Sequence, residues 1–255
     1  LCAPGPVSSV PALSLDPVFR RSHGSLYKCL DRGEVDPAAM RDLMVAYRPP
    51  DWPLVFAVDA STWDRCDAET SPQRGYYYSA SKHSAGKPIV AGWSYQWVAG
   101  LDWAHDCWTA PMEARRITPG DNTVSATVTQ VRELVARLAA TGQTTDHSPV
   151  FVFDAGYDPI ALSHELAEVP AVLVVRIRDD RVFYTTPQTP QTPTVGRPRR
   201  HGHRFELNDQ NTWPAPDHHH TATDPRYGTV AVSAWHGLHP KLGCRGHWAD
   251  HQQPP

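Results

Sequence analysis

Two short apolar runs, each closed by a carboxylate, narrow what this chain can fold into. They are Leu54-Val55-Phe56-Ala57-Val58-Asp59 and Pro149-Val150-Phe151-Val152-Phe153-Asp154. Neither alternates polar with apolar residues, so each reads as a central strand covered on both faces, which belongs in an α/β architecture. The segments between them fit that frame. Ala91–Leu101 and Trp103–Pro111, rich in Trp, Tyr and Val, predict antiparallel partners of the first strand in a meander. A helix is expected after Asp121-Asn122-Thr123, where Val124, Val128, Val131, Val135 and Leu138 recur at spacings of three and four and Gly142 supplies the stop. Asp158-Pro159 then caps a helix with Ile160, Leu162 and Leu166, and Ala171–Ile177 adds a strand. The expected order is β-β-β-α-β-α-β.

The flanks differ from this core. Upstream, helices are expected over Pro17–Leu30 and from Pro37, behind Asp36, to Tyr47, before Arg48-Pro49-Pro50-Asp51-Trp52-Pro53 breaks the chain. Downstream, residues 185–196 form a Thr/Pro/Gln tract, and Pro, His and Trp dominate to residue 255, with a short strand at Thr229–Ala234. The division read from this is 1–50 as an N-terminal helical segment, 51–184 as an α/β core and 185–255 as an irregular β-rich insertion.

Composition excludes several classes. Twenty-five prolines in 255 residues, roughly twice the usual share, rule out long coiled coils and simple helical bundles. No apolar run approaches the roughly 18 residues of a membrane span, and the N-terminus has no secretory-signal pattern, so a cytoplasmic protein without a membrane partner is expected. The five cysteines, at 2, 29, 66, 107 and 244, include no C-x-x-C pair, which argues against a disulfide framework or a zinc knuckle. The run His218-His219-His220 and the pair Cys244 and His247 lack partners at convincing zinc spacing.

Chemistry points to Asp59 and Asp154. Strand ends of an open α/β sheet are where ligands bind, and two carboxylates on neighbouring strands repel unless a divalent cation lies between them. Mg²⁺ is held by one or two carboxylates together with substrate phosphates, which suits phosphodiester cutting. The competing reading is that each Asp only caps the turn after its strand. A phosphatase of the haloacid-dehalogenase type would need a second Asp two positions after Asp59, where Ser61 stands. Between Arg176 and Arg204, seven arginines face only Asp179 and Asp180, a local formal charge of +5 in a chain of net −3. Such a stretch suits nucleic-acid phosphates, or is a solvated loop. Trp213, Trp235 and Trp248 either stack on unpaired bases or form local core.

Phe56-Ala57-Val58-Asp59-Ala60-Ser61 and Val152-Phe153-Asp154-Ala155-Gly156-Tyr157-Asp158 resemble the insertion-sequence DDE transposases, whose catalytic core is RNase H-like. Gly92-Trp93-Ser94-Tyr95, Arg176–Val182, Gly196-Arg197-Pro198 and Arg245-Gly246-His247-Trp248 carry the resemblance along the chain. It implies an RNase H-like mixed sheet flanked by helices. It also implies Mg²⁺ or Mn²⁺ held by Asp59 and Asp154 as catalytic residues, and double-stranded DNA, at element ends and target, as substrate. Arg176, Arg178, Arg197, Arg199 and Arg200 are the candidate DNA contacts, and a homodimer is expected in the DNA complex. The family's third acid has no obvious counterpart, because Glu206, Asp209, Asp224 and Asp250 lie in no helical pattern. The reading is therefore a truncated copy whose third acid lies beyond Pro255; the alternative is an inactive remnant that only binds DNA.

Overall fold

In the computed structural model, residues 9–17, 19–79, 88–102, 109–144, 147–187 and 199–241 are described. The chain divides into two compact units, Leu1–Met44 and Val45–Pro255.

In the first unit, Ser9 caps the short helix α1 (Val10–Leu13), its hydroxyl accepting from the Ala12 N–H. Helix α2 is His23–Arg32 and not the expected Pro17–Leu30. A run of turns closes after α1, with the Phe19 N–H donating to the Asp16 carbonyl, and Pro17 is held inside it. Helix α3 (Pro37–Ala46) starts as its sequence requires, with Asp36 Oδ1 accepting from the N–H groups of Ala38 and Ala39.

The second unit is built on a mixed sheet. Its strands are β1 (Val55–Asp64), β2 (Gly75–Tyr78), β3 (Ile89–Leu101), β4 (Thr109–Ile117), β5 (Val150–Phe153) and β6 (Val172–Val175). The order is β2-β3-β1-β5-β6, with β4 also on β3. β3 runs antiparallel to β1, β2 and β4, whereas β1, β5 and β6 are parallel to one another. An antiparallel meander followed by parallel strands reached through helices is an RNase H-like α/β fold, as expected. The crossovers contain α4 (Thr123–Ala140) and α5 (Pro159–Glu165).

The core lies between the sheet and α4. Val128, Val131, Leu134, Val135 and Leu138 meet Phe56, Val58, Phe151 and Phe153 in one buried cluster. The Phe56 and Phe151 rings stack at 5.3 Å. Two buried glutamines tie α4 to β3: Gln96 Nε2 donates to Thr127 Oγ1 (2.7 Å) and Gln130 Nε2 to the Gln96 carbonyl (3.3 Å). Along β3, Gly92, Ser94, Gln96, Val98 and Gly100 are buried while the alternate residues are only half-buried. At Gly92 a β-carbon would collide with the Trp63 carbonyl across the β1 pairing.

The third strand departs from expectation. It is Thr109–Ile117 instead of Trp103–Pro111, and residues 103–108 lie outside the described ones. Its register slips between Val98 and Ala99, which pair with Glu113 and Pro111. Met112 is thereby inserted as an extra, buried residue. Proline lacks a ladder N–H, and a bulge is one of the few sheet positions that tolerates it.

Beyond the core, β7 (Val182–Tyr184) pairs with β8 (Arg204–Glu206) and β11 (His239–Pro240). Strands β9 (His218–Asp224) and β10 (Gly228–Ala234) form a hairpin. The expected strand at 229–234 lies in β10. Trp213 stacks on buried Phe205 at 5.5 Å, and Trp235 meets both edge-on. These two tryptophans are local core; Trp248 lies outside the described residues. Among the described residues no helix is long and apolar enough to cross a membrane.

Phe151→Ala should remove one face of the stack under the sheet and lower stability by about 3–5 kcal/mol. Urea denaturation followed by circular dichroism measures this.

Candidate active site

Strand register brings the two acidic residues together. β1 pairs with β5 so that Val58 faces Phe153, the last residue of β5. The next residue on each chain is Asp59 or Asp154. Adjacent strands lie about 4.8 Å apart, so the two carboxylates leave neighbouring positions at the same level of the sheet, and both residues are exposed. One expectation is corrected here. Asp59 does not end its strand, because the 13-residue β3 continues to pair with β1 as far as Asp64. Asp59 sits where β1 loses its parallel partner and keeps its antiparallel one, Trp97.

Each carboxylate has one oxygen engaged locally. Asp59 Oδ1 accepts from the Ala60 N–H (2.8 Å) and Asp154 Oδ1 from the Gly156 N–H (2.9 Å). Asp154 thus does cap its turn, and the turn shapes the site. A β-carbon at residue 156 would stand 3.0 Å from Asp154 Oδ1, a tight approach that a larger residue could make only by displacing the carboxylate slightly. Among the described donors none engages the other oxygen of either residue.

Tyr157 completes this end of the sheet. Its ring packs on Phe153 at 5.2 Å, and its buried phenol oxygen has no hydrogen-bond partner among the described residues. Burial first, then the charges of Asp59 and Asp154, push the phenol well above the ordinary tyrosine range. Both carboxylate charges therefore act on one phenol, in agreement with the strand register. Tyr157 lay within the recognised sequence stretch, but its closeness to both acids depends on the β1–β5 pairing.

The next parallel strand continues the row. Val175 of β6 pairs with Phe153, and the Arg176 N–H donates to the Phe153 carbonyl (3.0 Å), placing Arg176 level with Asp154. A cleft of about 550 Å³ opens here, walled by the turn at Gly156 and Tyr157, by Arg176, Arg178 and Phe183, and by Lys241. Arg199 and Arg200 are exposed but do not line it, and Arg197 lies outside the described residues. Asp158 is the N-cap of α5, its Oδ1 accepting from the N–H groups of Ile160 and Ala161.

The later acidic residues have other work. Glu206 pairs with Arg204 (3.1 Å), Asp209 caps a single 3₁₀ turn, and Asp224 holds the β9–β10 turn through the N–H groups of Arg226 and Tyr227. Asp250 lies outside the described residues. Among the described residues no cluster of three His, Cys, Asp or Glu side chains is placed to hold a metal ion, the histidine run of β9 included. Cys29 and Cys66 are free and exposed; Cys2, Cys107 and Cys244 lie outside the described residues, as does His247.

Residues 1–241 match the DDE superfamily endonucleases, and the chain belongs to that family. No curated protein and no solved structure matches it.

The Tyr157 environment can be read by ¹³Cζ tyrosine NMR. Its resonance should keep the phenol form at pH values where exposed tyrosines, near pKa 10, are half ionised. Asp59→Asn should lower its pKa, since removing a nearby negative charge favours phenolate.

Proposed function

We propose that the protein is the transposase of an insertion sequence, cutting DNA at the element's ends and joining the freed ends to target DNA, with Asp59 and Asp154 as its catalytic residues. The observation that carries this reading is the β1–β5 register, which sets two exposed carboxylates side by side at the edge of a rigid core. In a family of endonucleases, a paired-carboxylate site of this kind is suited to phosphodiester chemistry.

The donor set fits a hard divalent cation, Mg²⁺ or Mn²⁺. Asp59 and Asp154 would hold it together with a phosphate oxygen of the substrate, and the carboxylate oxygens not taken by backbone N–H groups are the natural ligands. When bound, it supplies Lewis acidity toward the phosphoryl group and a lowered pKa for attacking water.

The chain's own residues fix the geometry. The sheet sets the two residues at adjacent backbone positions, the Gly156 N–H holds one Asp154 oxygen, and Tyr157 packs against the core. In the first step water adds to phosphorus as the P–O3′ bond breaks, leaving a 3′-hydroxyl and a 5′-phosphate. In the second, that 3′-hydroxyl attacks a target phosphate, and one phosphodiester bond forms as another breaks, releasing the target's own 3′-hydroxyl.

One observation favours a second reading, a DNA-binding protein that cuts nothing: no third acidic side chain adjoins the pair among the described residues. Plasmid nicking by the full-length protein in Mg²⁺ separates the two. Asp59→Asn or Asp154→Asn should each reduce nicking by at least about 100-fold while DNA affinity persists. Nicking that survives both substitutions contradicts the proposed roles, and binding without any nicking by the unaltered protein supports the second reading.

A further inference from the structure

The cleft beside Asp154 combines features that neither the acid pair nor a general DNA-binding surface requires. Its rim carries Arg176, Arg178 and Lys241, all exposed, and no carboxylate among the described residues pairs with any of them. Four cations line it, Arg176, Arg178, Arg181 and Lys241, against two acids: Asp158, whose Oδ1 accepts from the N–H groups at the start of α5, and Asp180, which lies 3.9 Å from Arg181. The cleft is therefore cationic in effect. Its wall also includes Ile160 and Phe183, both only half-buried, so an apolar surface lies below the charged rim.

We infer that this cleft is a subsite for one unpaired nucleotide of the strand being cut, its phosphate on Arg176, Arg178 and Lys241 and its base against Phe183 and Ile160. The inference rests on the reading of Asp59 and Asp154 as the cutting site and adds the state of the DNA next to it. A cavity of about 550 Å³ is the size that encloses a small organic ligand. It cannot admit a duplex, whose major groove alone is about 12 Å wide. Duplex DNA also offers a protein surface mainly phosphates, with its base faces stacked away, and would leave the apolar wall unused. An unpaired nucleotide presents both a phosphate and a flat apolar face, which matches rim and wall together. Position agrees: the cleft begins at Ala155, the residue after Asp154, and Arg176 stands level with Asp154 on the next strand.

Binding measurements on the full-length protein in EDTA, where metal-dependent cutting cannot occur, test this apart from cutting. The probes are a fluorescein-labelled oligothymidylate of about six nucleotides, the same oligomer with abasic sites, and a blunt duplex. The oligothymidylate should bind more tightly than its abasic counterpart. Arg176→Ala combined with Arg178→Ala should weaken oligothymidylate binding about tenfold and flatten its salt dependence by about 1.4 in log–log slope, from two lost phosphate contacts. Duplex binding should change by less than about twofold. Phe183→Ala should erase the preference for bases over abasic sites; if that variant fails to fold, the comparison of the two oligomers in the unaltered protein decides the same point. Equal losses for oligomer and duplex, or equal affinity for thymidylate and abasic strands, would overturn the inference.

Discussion

The parallel pairing of β1 with β5 is the constraint on which the rest depends. It is enforced by Phe56 stacked on Phe151 and by Val58 beside Phe153, all buried against α4. A slip of one residue in either strand would turn its buried side chains to the opposite face. It would also move one carboxylate away from the other. Placement of the acid pair is thus inherited from the core, and the cost of misplacing it is the cost of unpacking four aromatic and aliphatic side chains.

The site divides into regions of opposite charge. Where β5 ends beside the middle of β1 two carboxylates stand together, and one strand further, past Arg176, the surface becomes cationic. Among the acidic groups nearby, Asp158 accepts from the N–H groups in the first turn of α5 and Glu206 pairs with Arg204. A negative pair next to a positive cleft favours a ligand that brings both a phosphate to bind and a bond to break. Tyr157 stays protonated between these regions because burial and the two acids both oppose its ionisation.

Much of this was legible in the sequence where a strand carries a buried apolar run or a helix is long, although Ala57, Val150 and Val152 are only half-buried and the two strands are not covered equally on both faces. Leu54–Asp59, Pro149–Asp154 and the heptad-like valines of α4 announce their elements because a buried surface leaves little choice of residue. The Asp36 and Asp158 caps were legible because Pro follows each at the first helical position. The rest depends on contacts distant in sequence. That β1 continues to Asp64 follows from the length of β3, and the start of α2 at His23 follows from turns that occupy Pro17. β2 was missed because four residues, Gly75–Tyr78, are strand only against the first part of β3. The bulge at Met112 is visible only once Pro111 has a partner to lose. The arginine stretch read as one basic arm, but the structure puts Arg176 and Arg178 on the cleft and leaves Arg199 and Arg200 apart from it.

The central claim is that Asp59 and Asp154 act as one cation site. Titrating ¹⁵N-labelled protein with Mn²⁺ and following paramagnetic broadening of the amide resonances tests it directly. The account predicts broadening centred on residues 59–60 and 154–157 that disappears with either Asp59→Asn or Asp154→Asn. Broadening centred elsewhere, or surviving both substitutions, would contradict it.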